Sequence, residues 1–477
     1  MPNIKQIKIT NGTFWIEIDA IDLRLLCGCP ADVSKFLAQE ELIKTITSSD
    51  GRLTVSGPNA ILLSDKQMQN GRVCNFSEFP LMHMLYMQGM LVPNSPNFGQ
   101  TPYFIGKSEI IKQQLEYLFV GNYGVTNQDV LNQAYKDDFL GKEIMTSKLC
   151  FANHNFKEYT NLLRVIPVED NEETTIKDTC LIKRTSENIF EVIYKAETVE
   201  IDLNLESDQT YGKTFTLPKT LIPSVNFGVV NIGSGDGWSQ DRPCFSSLII
   251  SDGKKYLVDA GPNLGYVLEQ LGLSVNDIDG IFQTHIHDDH ICGYEFLWGR
   301  EKPLDIFLVK PVKIGFMLKL NYIFNASDEE INKKFNFIEL DFDQWNNIEN
   351  LEVIPYISLH PVETSIFMFR KQKDGVSKTF AHFGDLVSFM ILDKITENGS
   401  RIGIKQETAD KVREQYLIPA DFKKIDVGGG LIHGMAENFV NDKSTLKSLG
   451  HIGRHLTPEE LEVGISEPFG NIQILIP

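Results

Sequence analysis

Seven cysteines in 477 residues are too few and too scattered for a disulfide framework. The one close pair, Cys27 and Cys29, has no second pair beside it to complete a four-ligand metal site. This sparse thiol count, with a start (MPNIKQIKIT) lacking the apolar stretch of a signal peptide, predicts a cytoplasmic chain with reduced thiols. No run of about 18 apolar residues occurs, so no membrane-spanning helix is expected. Positive charge is also short: Lys and Arg number 45 against 64 Asp and Glu, a net charge of −19. Polyanion binding rests on Lys and Arg neutralising phosphates, so nucleic acid and anionic membranes are disfavoured as partners. The 42% hydrophobic and 23% charged content is ordinary for a globular protein. A single core stops growing at roughly 250–300 residues, so a chain of this length predicts two domains.

Pattern places the junction where Gly212, Pro218 and Pro223 cluster among polar residues, giving domains 1–212 and 213–477. The first half reads as α/β. Strands are expected at 14–19, 23–30 and 60–63, and helices at 31–46, 79–90 and 108–120. An exposed acidic loop over 169–177 precedes strands at 179–183 and 190–194. The second half alternates strands and helices: strands at 229–232, 248–250 and 256–259, a Gly/Ser-rich turn at 233–237, a helix at 264–271 and a strand at 278–283.

That last strand delivers the chain into the most informative stretch. Of ten histidines, His285, His287 and His290 lie within six residues, interleaved with Asp288 and Asp289. Imidazole and carboxylate are common metal ligands. In extended backbone His285 and His287 face one side, and Asp289 and His290 then turn toward a second point. One loop can thus feed two metals. So dense a ligand set behind a buried strand is costly without a cation.

The cluster resembles the signature of the metallo-β-lactamase superfamily, and the similarity runs from about residue 229 to the end. Tyr256-Leu-Val-Asp-Ala-Gly-Pro262 looks like the family's first motif, Ser358-Leu-His-Pro-Val-Glu-Thr364 like its third, Ala381-His-Phe-Gly-Asp385 like its fourth and Leu449-Gly-His-Ile-Gly-Arg454 like its fifth. The resemblance implies an αββα sandwich in the second half. It implies two divalent ions, zinc first, with manganese and iron as alternatives. His285, His287 and His360 would hold one ion, and Asp289, His290 and His451 the other. Asp385 would bridge them, a bridging hydroxide would be the nucleophile, and Asp259 would orient a ligand histidine from behind. His287 stands where the flavodiiron branch has glutamate, which favours hydrolysis over oxygen reduction.

Within the superfamily the chain looks nearest the cyclic-nucleotide phosphodiesterase and tRNA 3′-processing endonuclease branch. The turn at 233–237, Arg242, Gly293 and Arg454 carry that likeness. Asp289, Asp385, His433 and Arg454 are the expected catalytic residues. His433 either donates a proton to the leaving group or makes a structural hydrogen bond, and the glycines at 428–430 allow close approach to a ligand. His382 reads as a packed core residue, and His83, His154 and His455 as ordinary. The expected activity is metal-dependent hydrolysis of a cyclic nucleotide or other small phosphodiester. The alternatives are an ester, lactone or thioester hydrolase, an RNA 3′-end nuclease, or a metal-holding binding protein. A homodimer is the default assembly.

The first half also resembles a degenerate copy of the second. Leu25–Pro30 parallels Leu257–Pro262, and 60–70 parallels 280–290, placing Asp65, Gln67, Gln69 and Asn70 at ligand positions. An unrelated α/β domain gating the site is the competing reading.

Overall fold

The computed structural model describes residues 2–47, 53–90, 99–398, 402–429 and 432–477. Among these, the amino-terminal half builds a six-stranded sheet. Its strands, in spatial order, are β1 (Lys5–Thr10), β2 (Thr13–Ile18), β3 (Leu23–Cys27), β4 (Ala60–Leu62), β5 (Tyr103–Gly106) and β6 (Arg164–Pro167). The first two pairings are antiparallel and the next three parallel. Helix α1 (Val33–Gln39) follows β3 and α2 (Glu78–Met87) precedes β5. The β5–β6 crossover holds α3 (Ser108–Tyr123), α4 (Gln128–Tyr135) and α5 (Asp138–Phe151). Side chains alternate across the sheet with the period of two that strands impose. Trp15, Leu26, Ile61 and Phe104 join the helix-side core, whereas Ile16, Leu25, Leu62 and Ile105 face the opposite core. That second face is covered by an antiparallel sheet of β7 (Glu173–Lys177), β8 (Cys180–Ser186), β9 (Ile189–Tyr194) and β10 (Glu197–Asp202).

The carboxyl-terminal half uses the same plan and completes it. Strands β11 (Phe227–Gly233), β12 (Ser246–Ser251), β13 (Lys254–Val258), β14 (Gly280–Phe282), β15 (Leu304–Val309) and β16 (Phe335–Leu340) again pair twice antiparallel, then three times parallel. Helix α6 (Leu264–Gln270) follows β13, the one-turn α7 (Asp288–Ile291) follows β14, and α8 (Lys310–Phe324) follows β15. A second sheet runs β17 (Asn346–Ile348), β18 (Leu351–Ser358), β19 (Thr364–Lys373), β20 (Val376–Phe383), β21 (Phe422–Asp426) and β22 (Leu446–Gly450). Helices α9 (Phe389–Ile395) and α10 (Gln406–Tyr416) pack on its outer face, and β23 (Ile472–Ile476) closes the edge of the first sheet beside β11. The layers are helix, sheet, sheet, helix, with the sheets meeting over aromatic pairs such as Phe282 and Phe369, centroids 4.8 Å apart.

One hydrophobic core runs through both halves, from Trp15 and Tyr117 to Phe282 and Phe316. Helices α3 and α8, which follow corresponding strands, pack on each other. Both α1 and α6 begin after a left-handed residue, Asp32 (φ 62°) and Asn263 (φ 60°), and Asn263 Nδ2 donates to Asp32 Oδ2 at 2.8 Å.

Several expectations need correction. The helix expected over 31–46 ends at Gln39, because Glu41 turns left-handed (φ 54°) and the amides of Leu42 and Ile43 fold back onto Leu37 O. The acidic stretch 169–177 contains a strand, whose Ile176 is buried. The likeness between the halves is also shifted by one residue at its first motif. Gly28 N donates to Leu62 O as Asp259 N donates to Phe282 O, so Gly28, not Cys27, stands where Asp259 does. Both are left-handed, at φ 82° and 63°. The amino-terminal half has, among the described residues, no counterparts of β21 and β22.

Candidate metal centre

Four connections leave the carboxyl ends of strands at one edge of the sandwich. The loop after β14 carries His285 and His287 and runs into α7, which carries Asp289 and His290; His360 follows β18, Asp385 follows β20 and His451 follows β22. Three residues just past strand ends, Asp259, Asp385 and His451, hold left-handed backbone (φ 63°, 52° and 60°). Such conformations are costly for residues with a β-carbon and concentrate at functional sites.

These loops bring buried donor atoms together. His287 Nδ1 lies 3.2 Å from His285 Nε2 and 3.1 Å from His360 Nε2. His290 Nε2 lies 3.3 Å from His451 Nε2, with Asp289 Oδ2 3.5 and 3.2 Å from the two. The carboxylate of Asp385 spans both groups. Its Oδ2 is 3.4 Å from His285 Nε2 and from His360 Nε2, and its Oδ1 is 3.0 Å from His290 Nε2 and 3.3 Å from His451 Nε2. Donor atoms of His285, His287, His360 and Asp385, and those of Asp289, His290 and His451, form two compact groups able to hold a cation.

The donor chemistry fits divalent ions. A neutral imidazole has one N–H, so inward nitrogens this close cannot all satisfy one another. The outward nitrogens of His287, His360 and His451 are buried and make no hydrogen bond among the described residues. Burial pulls His285 and His287 well below the ordinary imidazole range, which keeps their lone pairs available. Burial alone would raise Asp385, but His451, His290 and His285 outweigh it and hold the carboxylate well below its usual range. Asp289 behaves alike, with His290 and His451 outweighing burial. Burial likewise opposes a charge on His451, yet Asp385, Asp289 and Asp426 push it up to about 10. The pocket is built for positive charge.

Behind the donors, Asp259 accepts from His290 Nδ1 at 2.8 Å and from the Thr284 amide and hydroxyl, both at 2.8 Å. Thr284 Oγ1 in turn lies 2.9 Å from His285 Nδ1. These contacts fix which nitrogen of His285 and His290 faces inward.

The carboxyl-terminal half has the αββα layering, and the donors after strand ends, that the resemblance to the metallo-β-lactamase superfamily implies. Residues 227–307 match the family described as Anti-Pycsar protein Apyc1. The Apyc1 of Saccharibacillus brassicae is 34% identical over 64 residues, 13% of this chain and 26% of that protein. Ribonuclease Z of Methanococcus maripaludis strain C6 is 30% identical over 131 residues, 26% of this chain and 41% of that protein. The chain thus spans well under half the length of these curated relatives. The metallo-β-lactamase fold protein YhfI from Bacillus subtilis superposes over 52% of this chain and 99% of its own, with TM-score 0.38 and 17% identity.

On the αββα scaffold the other sequence candidates fall in distinct places. His433 faces the donors, its ring 4.5 Å from that of His451 and 5.6 Å from that of His360. Its Nδ1 is 3.1 Å from Asp426 Oδ2. Burial lowers His433, but Asp426 outweighs it and the net shift is upward. Arg454 is not at the donors: its half-exposed guanidinium makes a bidentate pair with Glu460, both bonds 2.7 Å. His382 is packed between the sheets with Nδ1 3.0 Å from Ser247 Oγ. Gly430 of the glycine run lies outside the described residues.

In the first half, Asp65 follows β4 as His285 follows β14, but Arg184 Nε donates to it at 2.8 Å and Asn188 N at 2.7 Å. Gln69 and Asn70 do not occupy ligand positions, although Gln67 keeps the register of His287. A hairpin intervenes, and Cys74 O receives the Cys29 amide as His290 O receives that of Ala260. Gln67 and Gln69 instead bond to the carbonyls of Tyr322 and Leu203.

Sequence reasoning missed Asp426. It accepts from the amides of Leu386, Gly428 and Gly434 as well as facing His433. A weaker signal was available: it closes a short strand, Phe422-Lys-Lys-Ile-Asp426, just ahead of glycines. Also missed was the reach of α2, whose Tyr86 phenol is pushed up by burial and then by Asp289, Glu78, Asp385 and Asp236.

Proposed function

We propose that this protein is a metal-dependent phosphodiesterase acting on a small phosphodiester, a cyclic nucleotide in the first instance. The observation that carries this reading is Asp385, whose two carboxylate oxygens each address a different group of donors. One ion would be held by His285, His287 and His360 and a second by Asp289, His290 and His451, with Asp385 shared. Bound there, such ions lower the pKa of water to about 7 and offset charge developing on phosphoryl oxygens. The chain's own residues orient and protonate. Asp259 and Thr284 aim the imidazoles. Asp426 accepts the Nδ1 proton of His433, which leaves Nε2 as the nitrogen that can exchange a proton with the departing oxygen.

The net charge of −19 favours a small substrate over a long polyanion. The similarity to ribonuclease Z supports a second reading, cleavage at an RNA 3′ end. The test is metal content together with hydrolysis of bis(p-nitrophenyl) phosphate. About two ions per chain are expected, and Asp385→Ala should lose several kcal/mol of transition-state stabilisation, roughly a thousandfold or more in kcat. Near-normal turnover in that variant would overturn the shared-ligand assignment. A panel of cyclic nucleotides against a tRNA precursor then separates the two substrate readings.

A further inference from the structure

The loop that carries four of the seven donors is held from outside its own half. Asp288 lies between His287 and Asp289, yet its side chain turns away from the donors. It pairs with Lys319 of α8 at 2.9 Å and accepts from the Tyr117 hydroxyl of α3. Lys319 Nζ also donates to Glu78 of α2 at 2.6 Å and to the carbonyl of Ile286 at 2.7 Å. Glu78 Oε1 accepts the amide of Asp288 at 3.2 Å. Two main-chain groups lying between ligands are therefore fixed by one buried network, in which Glu78 and Tyr117 come from the amino-terminal half.

A second network reaches the other histidine loop. Glu363, three residues beyond His360, is buried and accepts from Lys148 of α5 and, at 3.1 Å, from the amide of Val125. Glycines make room for both carboxylates. A β-carbon at Gly121 would collide with that of Glu78, and one at left-handed Gly124 with that of Glu363.

We propose that Glu78, Tyr117 and Lys148 are positioning residues for the metal centre, so that the half lacking ligands sets the spacing of the two ligand loops. This rests on the metal-site reading above. Adhesion alone does not explain the arrangement, because well-packed hydrocarbon serves an interface as well as buried charge or better. What polar groups add is direction, and here they are aimed at Asp288, Ile286 O and Glu363, in the loops that bear His285, His287, Asp289, His290 and His360. Partners behind metal ligands are typically worth roughly 10–100-fold in metal affinity.

The experiment compares full-length wild type with Tyr117→Phe, Glu78→Gln and Lys148→Met. Zinc affinity is read by chelator competition, ligand geometry by the absorption spectrum of the cobalt(II)-loaded protein, and folding by circular dichroism. Affinity should fall roughly 10–100-fold with an altered cobalt spectrum, and kcat toward bis(p-nitrophenyl) phosphate should fall with KM little changed. Tyr117→Phe deletes one hydroxyl and keeps the ring, so it carries the test should a charge variant fail to fold. Variants that are folded, with affinity within twofold of wild type and an unaltered spectrum, would overturn the proposal while leaving the metal centre intact. A wild type that takes up no metal would overturn the metal-site reading itself.

Discussion

His433 and Asp385 should respond differently to the leaving group. Asp385 belongs to the donor set, so its loss should be felt with every substrate. His433 is tied to Asp426 and faces the pocket, so its proton matters only when the departing oxygen needs one. With His433→Gln, hydrolysis of bis(p-nitrophenyl) phosphate should fall less than about tenfold, because nitrophenolate leaves unaided. A substrate that releases an alkoxide should lose roughly 10²–10⁴-fold, the usual contribution of general acid catalysis. Equal losses on both substrates in steady-state assays would remove the proton-donor role. At this scale the sequence was legible wherever the clustered donors are neighbours or follow a strand. His285 to His290, His360, Asp385 and His451 could all be read from local motifs. Tyr117 and Lys148 could not, since they act on residues 171 and 215 positions away. The pairing of Arg454 with Glu460 was equally invisible, for it depends on the short helix over Pro458–Val463 turning Glu460 toward it.

Among secondary-structure elements, the contrast between the halves is instructive. Both begin with the same strand order and sense, and both place an acidic or ligand residue after the fourth strand. Among the described residues the amino-terminal second sheet then stops at four strands, without partners for β21 and β22, whose ends carry Asp426 and His451. Asp65 is consequently neutralised by Arg184, with both side chains almost fully buried. Asp65→Ala should therefore leave turnover per folded molecule unchanged while destabilising the protein by roughly 1–3 kcal/mol, because the Asn188 amide loses its acceptor while Arg184 keeps Asp170 as a partner. Denaturant titration beside a phosphodiesterase assay checks both halves of that statement, and lost turnover at full folding would give Asp65 a chemical role. Strands β2, β3, β4, β8 and β9 of the first half and β11 to β14 of the second were readable as short apolar runs, whereas β1, β5, β6 and β10 were not. The one-residue offset at Gly28 was not, because the parallel ladder, rather than side-chain similarity, sets that register.

At the scale of the whole molecule, the centre concentrates five histidines with Asp289 and Asp385 inside a buried pocket. A ligand bound only by the folded state stabilises it by mass action, about 4 kcal/mol at a thousandfold excess over Kd. Stripping metal with a chelator should therefore lower the melting temperature by roughly 4 °C. Calorimetry of the stripped protein, with and without added zinc, would show it, and an unchanged melting temperature would argue that the pocket binds no ion in the folded chain. Because the main core is continuous across both halves, this loss should be felt by the whole chain in one cooperative transition.

The packing of α3 against α8 has a consequence for how the protein behaves when scarce. The frame that steadies the histidine loops travels on the same polypeptide, so its local concentration is set by chain connectivity, in the millimolar range for short tethers, and not by abundance in solution. Dilution that would separate two subunits cannot part these halves. A few copies in a large volume would be as well organised as many, and a free second copy would add nothing to the loops already held.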